Sequence, residues 1–155
     1  MFLSETLQQS KVNAGTACIG RYLLVLDTKN GRESCCQKEG SAIIEITDRN
    51  FDREVLKGKL PVLACFEVEW SLSSCATCLF ADKLAQEYEG RVKFVKMDIE
   101  KSPEVSTKYH VIAVPTILLF KDSQPVKKLL GFQDRKSLRD LLNCVTAEGD
   151  LSYKN

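Results

Sequence analysis

Residues 61–68, Pro-Val-Leu-Ala-Cys-Phe-Glu-Val, carry a single charge, on Glu67. The run is short, β-compatible and apolar at alternate and intervening positions alike. A strand of this kind needs cover on both faces and belongs inside a sheet packed between two layers. The rest of the chain must supply those layers.

From residue 41 onward the segments do so in alternation. Ala42-Ile-Ile-Glu-Ile46 reads as a strand, and Thr47-Asp48 as a helix N-cap followed by Phe51, Val55 and Leu56 on one face. After the 61–68 strand, residues 72–89 repeat apolar positions at helical spacing and stop at Gly90. Val92–Met97 alternates as a strand. Ser102-Pro103-Glu104 opens a helix with a cap, a first-turn proline and an acid near the positive end of the dipole. Thr116–Phe120 and Val126–Leu130 are strands joined by the Lys121–Gln124 turn, and Asp134 caps a last helix reaching Val145. The order βαβαβαββα implies a mixed sheet with helices on both faces, an α/β fold.

Residues 1–40 stand outside this pattern, and 147–155 form a C-terminal tail. In the first segment Arg21–Leu26 reads as a strand and Lys29-Asn-Gly31 as a hairpin turn. Residues 13–20 and 31–40 read as loops.

With 22 basic and 21 acidic residues in 155, no charge excess favours nucleic acid. No stretch approaches the ~18 apolar residues of a membrane helix. The opening residues have an acid, Glu5, where a signal peptide has basic residues, so a cytoplasmic protein is expected. Seven cysteines, at 18, 35, 36, 65, 75, 78 and 144, are an odd number without a secretory signal. That argues against a structural disulfide framework. Cys65 and Cys144 sit in apolar runs and read as small buried residues. Cys75-Ala-Thr-Cys78 together with Cys35-Cys36 would supply four thiolates to zinc, but adjacent cysteines are a poor half-site. Neither a metal nor a cofactor is expected.

Several local motifs resemble the thioredoxin family over about two-thirds of the chain, residues 41–146. These are Ile43-Ile-Glu-Ile-Thr-Asp48 with Phe51, the strand from Val62 to Trp70, Val114-Pro115-Thr116, and Gly131 after the last strand. The resemblance implies a thioredoxin fold carrying an N-terminal extension, thiol–disulfide oxidoreductase ancestry, and a cis-proline loop at Val114-Pro115. With Trp70, that loop would bind an extended peptide or protein partner.

The family places Cys-x-x-Cys directly after the Trp. Here Trp70 is followed by Ser71-Leu-Ser-Ser74, and Cys75-Ala-Thr-Cys78 comes four residues later. Aligned without a gap, Ser71 and Ser74 take the two catalytic positions and the helix periodicity survives. Alternatively the helix loses a turn, and Cys75 and Cys78 take those positions. The ungapped reading is preferred. Serine cannot provide the thiolate that attacks a disulfide or the thiol that resolves it.

The family's buried Asp, five residues before the Trp, is replaced by Cys65. Lys96 matches the family's nearby lysine and so is expected without a carboxylate partner. Cys75 is expected to face solvent and Cys78 to face Cys65. A Cys65–Cys78 bridge, a bond within Cys75–Cys78 and a single reactive Cys75 all stay open. His110 is expected near the binding surface. Two functions remain: an oxidoreductase with an atypical or disabled redox centre, or a redox-inactive binding module using the Trp70/cis-Pro115 groove.

Overall fold

A computed structural model describes residues 41–146 in full, and residues 16–19, 22–27 and 32–37 as backbone strands. The Lys29–Gly31 turn and the 147–155 tail expected from sequence lie outside the described residues.

Within the first forty residues, β1 (Thr16–Ile19), β2 (Tyr22–Asp27) and β3 (Arg32–Gln37) form an antiparallel sheet in that order. The β2 strand falls where sequence expected it. Two segments expected as loops contain β1 and β3 instead. Ladder pairing to β2 stabilises them, and local residue preference does not report such pairing.

The main sheet contains β4 (Ile44–Ile46), β5 (Val62–Glu67), β6 (Lys93–Asp98), β7 (Thr116–Lys121) and β8 (Gln124–Leu130), in the order β4-β6-β5-β7-β8. β6 runs parallel to both β4 and β5, while β7 and β8 are antiparallel additions. Asp122 and Ser123, both at positive φ, make the tight turn between β7 and β8. The helical elements are α1 (Asp52–Leu56, one π-helical turn), α2 (Leu72–Glu87), α3 (Pro103–Lys108) and α4 (Arg135–Thr146).

Strand alternation divides the core into two layers. Leu63, Cys65, Phe94, Ile117 and Leu119 pack with Cys78, Ala81 and Leu84 of α2 and Leu138 and Leu142 of α4. Val62, Ala64, Phe66, Val95, Met97 and Phe120 face the other way, onto Phe51, Val55 and Val105 around α1 and α3. Every β5 residue is buried, as its sequence requires. Each fully buried Leu or Phe contributes about 1.5–3 kcal/mol relative to exposure.

Two caps differ from expectation. Asp48 does not cap α1; it reaches across to α3, where Oδ1 accepts from Val105 N (3.0 Å) and Oδ2 from Glu104 N (3.2 Å). Ser102, the N-cap position of α3, makes no side-chain cap bond, and its buried hydroxyl has no partner among the described residues. The carboxylate wins because it satisfies two amides and carries the charge the helix N-terminus favours. Asp48→Ala should therefore cost about 0.5–2 kcal/mol, lowering the thermal midpoint by roughly 2–8 °C. Ser102→Ala should be near neutral or stabilising. Thermal melts of the two variants check the order.

Candidate functional site around the start of helix α2

β5 ends at Glu67, and the chain turns through Val68-Glu-Trp70 to enter α2. Ser71 is the N-cap: its Oγ accepts from Ser74 N at 3.3 Å. α2 thus begins at Leu72, and Ser71 rather than Cys75 occupies the helix start. Ser71 is partly exposed, whereas Ser74 is fully buried. The Ser74 hydroxyl has no hydrogen-bond partner among the described residues. Burying a hydroxyl that way costs about 1–3 kcal/mol, whereas a thiol there would pack as a small apolar group.

Across from the helix start, the Val114–Pro115 peptide bond is cis. Pro115 O accepts from Gly131 N at 2.8 Å, which joins the proline loop to the end of β8. Gln133 N donates to Thr77 Oγ1 (3.2 Å), and Phe132 packs edge-on against Phe80 at 6.2 Å, so this segment also touches α2. Trp70, Leu72, Ile112, Leu130 and Phe132 are exposed along these segments, Ile112 to 87%. Trp70 Nε1 donates to Glu100 Oε1 at 3.3 Å.

Behind the helix start lies a buried polar cluster. Glu67, Lys96 and Asp98 share the sheet face of Cys65, because residues two apart on a strand point the same way. Lys96 Nζ lies 3.6 Å from Glu67 Oε1 and 3.7 Å from Glu45 Oε2. The sequence expectation that Lys96 lacks a carboxylate is thereby corrected. The acid stands two residues further along β5, a displacement that preserves its face. The alternation along 65–67 signals this, once the strand is known to be covered on that side.

Cys78 follows Ser74 by one helical turn on the sheet-facing side, and its thiol donates to Glu67 Oε2 at 2.6 Å. Its interaction with Cys65, burial and the Glu67 charge hold the Cys78 thiol well above its ordinary pKa. Burial raises Glu67 as well, opposed by the Cys78 thiol and by Lys96. Cys78 does face Cys65, as expected, but Cys65, Cys78 and Cys144 are thiols. The bridges considered between Cys65 and Cys78 and between Cys75 and Cys78 are thus both absent.

Cys75 is not the solvent-facing thiol expected. It is buried and disulfide-bonded. Besides the sheet, α4 and β3 come against α2. An oxidised Cys75 offers no thiolate to zinc. Cys144, expected to be buried, is exposed on α4, with its thiol donating to Asp140 O. The inward stripe of α4 is Leu138, Leu141, Leu142 and Val145 instead. His110, at positive φ, lines a concavity of about 730 Å³ with Leu56, Tyr109, Leu118 and Lys128. That concavity is lined from α1, α3, β7 and β8.

The model of the family described as Thioredoxin matches residues 42–144. The chain belongs to the thioredoxin family. Thioredoxins of Staphylococcus aureus strains Mu50, MW2 and N315 are each 36% identical over 106 residues, covering 66% of this chain and 96% of theirs. The chain is thus related to thiol–disulfide oxidoreductases. Among the described residues, no helix of this thioredoxin-family chain is long and apolar enough to cross a membrane.

The raised Glu67 pKa carries a stability consequence. The unfolded state ionises near the ordinary glutamate value of 4.5, while the folded state holds its proton to higher pH. Between those two values the folded state binds more protons, so stability falls as pH rises. Glu67→Gln should remove this decline. The difference in unfolding free energy between variant and parent should shift in the variant's favour from pH ~4 to pH ~7. Urea titrations at stepped pH measure it, and an unchanged difference would refute the assignment.

Proposed function

We propose that this thioredoxin-family chain binds extended polypeptide across Trp70, Val114 and cis-Pro115, and that dithiol exchange at the start of α2 is disabled. One observation carries the reading: the N-cap and the buried first-turn position of α2 are Ser71 and Ser74, and neither hydroxyl can form or resolve a mixed disulfide. The peptide face does not need those sulfurs. Exposed Trp70, Leu72, Ile112, Leu130 and Phe132 supply apolar contacts, and an extended partner can add backbone hydrogen bonds along the proline loop.

A second reading has its own observation. Cys78 and Cys65 form a buried thiol pair with Glu67 at hand to accept a proton from Cys78. Such a pair could cycle as an atypical redox centre. Physical chemistry weighs against it, because the Cys65 interaction, burial and the Glu67 carboxylate all disfavour the Cys78 thiolate, and Cys78 is only 3% exposed. Reversible Cys65–Cys78 pairing in the range of roughly −220 to −320 mV would favour this second reading over the first.

Trp70, the sole tryptophan, reports on the binding face directly. An unfolded, carboxymethylated polypeptide should change its fluorescence saturably. Ile112→Asp or Phe132→Asp should weaken that binding about tenfold, equivalent to ~1.4 kcal/mol. The parent chain should not accelerate reduction of a disulfide substrate by dithiothreitol, whereas the Ser71→Cys/Ser74→Cys double variant should. Catalysis by the parent would overturn the proposal, as would a fluorescence signal indifferent to the polypeptide.

A further inference from the structure

We propose that the Cys75 disulfide closes on the N-terminal segment through Cys35 or Cys36, so that β3 is covalently tethered to α2 in a redox-dependent way. The chain has seven cysteines. Cys75 is a half-cystine, while Cys65, Cys78 and Cys144 are thiols. Within one chain, this leaves Cys18, Cys35 and Cys36 as partners.

Position separates the three. A disulfide needs its Cα atoms within about 7 Å. β3, which contains Cys35 and Cys36, is the strand that comes against α2. Cys18 belongs to β1, which β2 separates from β3. Two strand spacings place β1 roughly 10 Å from β3. The two cysteines of β3 are therefore the candidates for the bond to Cys75.

The tether attaches where it bears on the peptide face. Cys75 lies in the first turns of α2, and its amide donates to Ser71 O at 3.0 Å. A dithiol reductant would open the bond in two steps. One reductant thiolate attacks a sulfur of the disulfide and forms a mixed disulfide, displacing the other cysteine as a thiolate that takes up a proton. The reductant's second thiol then displaces the remaining protein cysteine. Two electrons pass to the protein, leaving Cys75 and its partner as thiols and the reductant as a disulfide. The N-terminal sheet is then joined covalently to the domain only through the backbone leading into Ser41 and Ala42. Both of these hydrogen-bond Asp82 Oδ1 on α2, at 2.8 and 3.1 Å.

The tether does not depend on the peptide-binding reading, and its test needs no substrate. The full chain, purified without reductant, would be alkylated and digested, then mapped by fragment-ion mass spectrometry. The expected product joins Cys75 to Cys35 or Cys36. Tryptic cleavage after Lys38 should then leave the two pieces together on a non-reducing gel until dithiothreitol separates them. The Cys75→Ser variant should separate without reductant. Its melt and Trp70 emission distinguish a lost tether from a lost fold. The proposal fails if Cys75 is recovered as an alkylated thiol, or joined to Cys18, Cys65 or Cys78. It also fails if the Cys75 link joins two chains, seen as a reductant-sensitive dimer.

Discussion

Burial of β5 on both faces is the constraint on which the remaining structure depends. Its odd-numbered side chains, Leu63 and Cys65, need the α2/α4 layer, and its even-numbered ones, Val62, Ala64 and Phe66, need the α1/α3 layer. A strand buried this way also needs ladder partners on both edges, which β6 and β7 provide. Once those partners are in place, the end of β5 can lead only toward one end of the sheet. That is where α2 begins and where the cis-proline loop approaches. The position of the site therefore follows from the burial of the central strand.

The same alternation controls the chemistry behind the site. Moving an acid by two residues along a strand keeps it on its face, whereas moving it by one would send it into the opposite layer. Glu67 meets Lys96 and Cys78 for this reason. The cluster balances charge in a buried place, and the Cys78 thiol holds its proton more tightly than an ordinary thiol. Removing one member would leave another buried and unsatisfied, which is more costly than the net worth of the pair. An exposed Trp70 and a cis Val114–Pro115 bond thus stand in front of a buried cluster of Glu67, Lys96 and Cys78.

Much of the domain was legible because its signals are local. The apolar run at 61–68, the 72–89 periodicity, Gly90 and Asp134 each act within a few residues. Asp134 does cap α4, accepting from Ser137 N at 2.8 Å. Long-range signals were not legible. Asp48 resembles a cap for its own helix, yet it serves one that begins 55 residues later. Cys144 lies close to Leu141, Leu142 and Val145 in sequence but is exposed on α4 in space. β1 and β3 lack strong strand signatures and are held by pairing to β2.

The sequence alone determined the element order of residues 41–146, the mixed sheet, and the place of Ser71 and Ser74 directly after Trp70 and ahead of Cys75. Each of these depends on residue type and spacing along the chain. Only the tertiary structure decided that Lys96 keeps a carboxylate partner, that Cys78 donates to Glu67, and that Cys75 is oxidised while Cys65 and Cys78 are not. Those outcomes depend on which surfaces meet. Helix periodicity specifies which side chains share a face, but the element that covers a face comes from a distant part of the chain. Packing of the layers, rather than any local preference, brings the two together.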